Sequence, residues 1–207
     1  MSRNLIKLAV LGVATLALTG TAHAKIETGS TVSNISVVDS DGNSHNLSDF
    51  AGKKVVLEWT NHKCPYVVKH YNPAHDGGNM QNLQQAAADD GVVWLSIISS
   101  APGKQGYVSG TQANQLSADR GAAPSAVILD ASGEAGQMFS AKTTPHMYVI
   151  DEAQTLVYQG AIDDIRSTNV NDIANATNYV TAALSAMDAG TPVAETDTKP
   201  YGCSVKY

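Results

Sequence analysis

Cysteine is scarce in this sequence. The 207-residue chain has two, Cys64 and Cys203, too few for a disulfide-framework miniprotein or a four-cysteine zinc site. Positive charge is also short, with 13 lysines and arginines against 19 aspartates and glutamates. The formal charge of −6 argues against a nucleic-acid binder held by phosphate contacts. No internal repeat, Walker loop, HExxH, GxSxG or GxGxxG sequence occurs. The hydrophobic share, 43%, is still enough for a real core and excludes global disorder. The length suits one domain, or one domain with a tail. Few places remain for chemistry, and one of them is a cysteine.

The first residues read as an address. Arg3 and Lys7 give a positive start, residues 8–18 are a short apolar run, and Ala22-His23-Ala24 fits an A-x-A cleavage site. The run is too short for a normal membrane span, and the good cleavage motif argues against an uncleaved anchor. No second long apolar run follows. The expected organisation is a signal peptide (1–24), a domain (25–190) and a C-terminal tail (191–207) that carries Cys203. The expected product is exported to the periplasm and free of the membrane once the signal is removed. Both cysteines then lie where disulfides can form.

Residues 25–49 read as extended, with a turn cluster at 39–43. Residues 55–59 (Val-Val-Leu-Glu-Trp) read as a short buried strand. Asn79 reads as the cap of a helix over 80–88, with Met80, Leu83 and Ala87 on one face. Residues 92–99 form the strongest strand signal. A helix over 111–120, a strand over 125–130 and a short helix over 134–140 follow. Two strands, 146–151 and 155–160, make a hairpin through Glu152-Ala153-Gln154. A last helix is expected over 172–187. Alternating strands and helices argue an α/β layered fold, and the closing hairpin makes its sheet mixed.

Cys64 follows the 55–59 strand and precedes a helix start, where Pro65 fits the first helical position. The positive helix end, with His62 and Lys63, favours thiolate and lowers the thiol pKa. The bland alternative is an inert, buried cysteine. Thr143-Thr144-Pro145-His146 stands directly before a strand, and its X-Pro bond is a candidate for the cis form. Asp163-Asp164 reads as a loop and helix-start pair. Tyr66, Trp59 and Trp94 read as packing residues, His70 and His75 as exposed loop residues, and His45 as part of the 39–46 hairpin.

The segment from Gly42 through Asn61-His62-Lys63-Cys64-Pro65-Tyr66-Val67 resembles the N-terminal signature of the redoxin superfamily. That group holds peroxiredoxins of the alkyl hydroperoxide reductase and thiol-specific antioxidant type, and TlpA-like thiol oxidoreductases. The run from Leu129-Asp130 through Thr144-Pro145 to Val157-Tyr158-Gln159-Gly160 is similar to the second half of those domains. The resemblance implies a thioredoxin-like fold: a central mixed β-sheet, helices on both faces and an N-terminal β extension. It also implies a cis-proline loop facing the cysteine, so that Asn61, Tyr66, Thr144, Pro145 and His146 shape the pocket. The departures matter. Classical peroxiredoxins carry Pro and Thr or Ser where this chain has Leu57 and Asn61. Their supporting arginine has no assured match, since Arg120 and Arg166 are the only arginines after the signal. Thioredoxins carry a second cysteine in the motif, where this chain has Val67 or Asn61.

The resemblance implies an exported thiol-dependent redox protein that needs no cofactor. Cys64 is its redox-active thiolate, supported by His62, Lys63 and Pro65. The expected partners are a small peroxide or a disulfide substrate and an external thiol reductant. A thiol–disulfide oxidoreductase working by a monothiol route is the first alternative. A non-catalytic module holding copper through His62, Cys64 and His146 is the second. Cys203 has three open roles: resolving an oxidised Cys64, forming a permanent bridge, or staying free or pairing between subunits.

Overall fold

The computed structural model describes residues 26–32 and 34–207. The expected signal segment lies outside the described residues. Among them, no helix is long and apolar enough to cross a membrane.

Among the described residues the first strands, β1 (Ser36–Val38) and β2 (Ser44–Asn46), form a small hairpin. The Asp39 carboxylate fixes its turn by accepting from the Asp41 and Asn43 N–H groups at 2.9 and 2.8 Å. Then come β3 (Val55–Trp59), α1 (Pro65–Tyr71), α2 (Asn79–Asp89) and β4 (Val93–Ile98). They are followed by α3 (Gly110–Asp119), β5 (Ala126–Leu129) and α4 (Glu134–Met138). The last elements are β6 (Thr143–Thr144), β7 (His146–Ile150), β8 (Leu156–Gly160), α5 (Tyr179–Asp188) and β9 (Cys203–Ser204).

Among the described residues, five strands form the central sheet in the order β5-β4-β3-β7-β8. β3, β4 and β5 run parallel, while β7 and β8 are antiparallel to their neighbours, so the sheet is mixed as the sequence implies. β3 and β4 are apolar but for Glu58 and Ser96, and the cause is simple: both strands are buried along their whole length. On one face Leu57, Trp59, Tyr148 and Ile150 pack with Met138 and Phe139 around α4. On the other, Val56, Met147 and Val149 pack with Val67, Met80 and Val180 of α1, α2 and α5. Cys64 belongs to this second face.

Two buried charges tie helices to the sheet. Glu58, in the middle of β3, has no exposed surface. Its carboxylate accepts from the Tyr71 hydroxyl at 2.9 Å, Gln84 Nε2 at 3.2 Å, Trp94 Nε1 at 3.0 Å and Ser96 Oγ at 2.9 Å. These donors meet the demand of a charge removed from water. Asp163 is the second. It faces Lys69 Nζ of α1 at 3.2 Å, and accepts from the Ile165 N–H at 3.1 Å and from the Tyr201 hydroxyl.

Three local expectations change. Asn79 is not the cap of α2 but its first residue; Gly78 caps it at φ 118°, where a side chain would overlap Gln81. Asn79 Nδ2 instead contacts His70 Nδ1 at 2.9 Å. His70 is correspondingly not an exposed loop residue but a fully buried member of α1. The single helix expected over 172–187 is two pieces, a 3-10 turn (Val170–Asn175) and α5. The break has a cause: Asn178 Oδ1 accepts from the Thr181 N–H at 3.0 Å, and the Tyr179 N–H goes to Ile162 O at 3.0 Å.

Residues 191–207 are bound along the domain. Thr198 Oγ1 contacts the Tyr158 hydroxyl at 2.6 Å, and β9 pairs antiparallel with β6. The Ala101 N–H donates to Lys206 O at 2.8 Å, and the Tyr207 hydroxyl donates to Ala141 O at 2.8 Å.

Asp163→Ala leaves the buried Lys69 ammonium without its carboxylate. The expected loss of stability is about 3–5 kcal/mol, read from urea unfolding. A loss below about 1 kcal/mol contradicts this account of the pair.

Candidate functional site

β3 ends at Trp59, and the next residues turn the chain into α1. The Asn61 carbonyl accepts from the Cys64 N–H at 3.0 Å, and its side chain accepts from the Lys63 N–H at 3.0 Å. Asn61 Nδ2 also donates to Gln105 O at 3.2 Å, which fastens the 101–108 loop beside the site. Cys64 is the N-cap of α1 and Pro65 is its first residue, as the sequence suggests. Cys64 is fully buried.

Opposite it, the Thr144–Pro145 bond is cis. β6 carries Thr144, and β9 sets Cys203 directly across from it. The two sulfurs are thereby 2.7 Å apart, although 139 residues separate them in the chain. Both are free thiols. A disulfide needs about 2.05 Å. The register depends on Gly202, which lies at φ 139° and presses on the Thr144 carbonyl so closely that any Cβ would overlap it. The Cys64 thiol also donates to Thr144 O at 3.0 Å.

The electrostatics make the two thiols unequal. Burial pushes Cys64 up, but the Cys203 thiol, the N–H groups of Val67 and Cys203, and Thr144 outweigh it and hold Cys64 below the ordinary thiol value. The Thr144 hydroxyl is buried without a hydrogen-bond partner. Cys203 moves up instead, to about 11, through burial, its hydrogen bond with Cys64 and the charge Cys64 carries when ionised. Of the two thiols, Cys64 is the one whose ionisation is favoured.

Other expected site residues are placed differently. Lys63 is exposed, and His62 lines an outer groove of about 470 Å³ with Val68, Leu116 and Arg120. Neither is among the groups that lower Cys64. Burial, then the charges of Lys63 and Arg120, hold His62 below its usual value, towards the neutral form. Tyr66 packs edge-on against Tyr201 at 5.6 Å. His146 is no part of the pocket. Alternation along β7 turns it to the Tyr148 face, where its Nδ1 accepts from the Lys142 N–H at 3.3 Å. That face is opposite Cys64, so His62, Cys64 and His146 do not converge on a metal. Among the described residues, no group of three His, Cys, Asp or Glu side chains is arranged to hold a metal ion.

The redoxin family model matches residues 27–177. The chain belongs to the redoxin family. Among solved structures, this redoxin is similar to an uncharacterized conserved protein from Geobacillus kaustophilus, with 25% identity and a TM-score of 0.71, over 88% of this chain and 93% of that one. A hypothetical protein from Sinorhizobium meliloti matches at 21% identity and a TM-score of 0.69, over 89% and 96%. The thioredoxin domain of a thiol-disulfide oxidoreductase from Bacteroides vulgatus matches at 19% identity and a TM-score of 0.50, over 73% and 98%. These likenesses establish the thioredoxin-like fold of the redoxin. No curated protein matches the sequence.

The sequence reading missed Glu58, Gln84 and Gly202. The first two lay inside apolar patterns, and the clue to Gly202 was its place beside Cys203.

Cys203→Ala removes the foremost group that lowers Cys64. The thiolate absorbance of Cys64 is expected to titrate at higher pH in the variant; an unmoved inflection contradicts the assignment. The buried histidines give a second outcome. Burial, then Lys69, holds His70 down to about 3, and burial, then Lys142, holds His146 down to about 3. Unfolded histidine takes its proton near about pH 6.5. The unfolded chain therefore binds more protons between these values, and this stability is complete above about pH 6.5 and is lost as pH falls towards 3. Unfolding free energies from urea titrations are expected to drop from about pH 7 to about pH 5, by up to about 1.4 kcal/mol per pH unit for each histidine, and the midpoints with them. A constant midpoint over that range contradicts it.

Proposed function

We infer that this redoxin is an exported thiol–disulfide oxidoreductase that cycles Cys64 and Cys203 between dithiol and disulfide. One observation carries the reading: two cysteine sulfurs, from distant parts of the chain, brought within 2.7 Å of each other. Oxidation joins the two sulfurs and passes two electrons to the substrate disulfide, whose S–S bond breaks; one of the resulting thiolates takes the proton of Cys203, and the other takes from water the proton that Cys64 released there. An external thiol reductant returns the electrons. The second thiol makes a monothiol route unnecessary.

Two features weigh against peroxide as the main substrate. Leu57 and Asn61 stand where the peroxidatic pattern has Pro and Thr or Ser. Cys64, the sulfur that peroxide must reach, has no exposed surface.

The test is reduction of insulin disulfides with dithiothreitol as reductant, run beside a hydrogen peroxide consumption assay. Insulin reduction is expected from the wild type, with at least about a hundredfold loss in both Cys64→Ser and Cys203→Ser. Peroxide turnover without insulin reduction overturns the reading.

A further inference from the structure

The two sulfurs are not equivalent to a molecule arriving from outside. Cys64 exposes nothing, being closed in by the Thr144 carbonyl, the Val67 cluster and Cys203 itself. Cys203 is partly exposed, its neighbour Ser204 is exposed, and β9 has one strand partner among the described residues, β6. Thiol–disulfide exchange is an in-line displacement. The attacking sulfur approaches along the extension of the bond that breaks, and access decides which sulfur is struck. Cys64, with no exposed surface, offers an outside sulfur no such approach, whereas Cys203, partly exposed, does.

We propose that Cys203 is the sulfur external thiols attack, and that Cys64 exchanges only with Cys203. The inference rests on the Cys64–Cys203 redox pair proposed above. An incoming thiolate bonds to Cys203 Sγ, the Cys64–Cys203 bond breaks, and Cys64 leaves with the electron pair as a thiolate. No proton moves in this step. A second external thiolate then attacks the incoming group's sulfur in the mixed disulfide; the external disulfide leaves, and Cys203 takes a proton from water. Run backwards, the same path oxidises the pair.

Leaving-group chemistry agrees with access, because the thiol of lower pKa departs faster, and that thiol is Cys64. The surroundings of Cys203 also suit an anionic nucleophile. Lys206, whose charge bears on Cys203, is held by Ser204 Oγ at 3.1 Å. The sulfur at the helix start is thus the internal one, and the sulfur on the C-terminal segment meets the partner.

The experiment uses oxidised wild-type protein. Its mass is measured first, and the loss of two hydrogens verifies the disulfide. Without that loss the redox-pair reading has failed, and the attack site with it. Where the disulfide is present, reduced glutathione is added and samples are quenched in acid at short times. Free thiols are then blocked with N-ethylmaleimide under acid denaturation, and the adducts are located by peptide mass spectrometry. At least about tenfold more glutathione is expected on Cys203 than on Cys64, with maleimide on Cys64. Glutathione mainly on Cys64, an equal split, or reduction with no adduct on Cys203 overturns the proposal while leaving the redox pair standing. No substitution is needed, so a folding defect cannot imitate any of these results.

Discussion

The site hangs on a register of two residue pairs, Thr143 with Ser204 and Thr144 with Cys203. A slip of one residue turns every side chain to the other face, and Cys203 then points away from Cys64. So short a ladder cannot hold its own alignment. Contacts on both sides hold it: Thr198 and Tyr201 before the pair, Lys206 and Tyr207 after it. Gly202 sharpens the alignment further, because its missing side chain lets the segment close on the Thr144 carbonyl.

Beneath the register lies a division of labour between buried charges. Glu58 gathers donors from α1, α2 and β4, which fixes the body of the helix that Cys64 begins. Asp163 joins the same helix, through Lys69, to the C-terminal segment, through Tyr201. The partner elements of both sulfurs are therefore referenced to one helix. Such buried polar groups are weak sources of net stability but strong determinants of arrangement when each is fully satisfied.

Much of this fold was legible in the sequence, and the reason is periodicity. The mainly apolar runs at 55–59 and 92–99 mark strands buried on both faces, and the Cys64-Pro65 pair marks a helix start. The resemblance to redoxins then supplied the cis-proline loop opposite the cysteine. What stayed hidden depends on partners distant in the chain. Glu58 looks like an interruption in an apolar strand until Tyr71, Gln84, Trp94 and Ser96 surround it. His70 looks like a loop histidine until α2 covers it. His62 and His146 sit near Cys64 in motif terms, yet one points to an outer groove and the other to the opposite face of the sheet. Cys203 kept three open roles because nothing local announces a two-residue strand.

The span between the cysteines has a thermodynamic consequence. Joining residues 139 positions apart restricts the unfolded chain across most of its length. The chain-entropy relation puts the resulting stabilisation at about 5 kcal/mol. By linkage, folding raises the effective concentration of one thiol at the other by the same free energy. In the proposed Cys64–Cys203 cycle, electron transfer is thus coupled to the cohesion of the whole domain, and the oxidised form is the sturdier one.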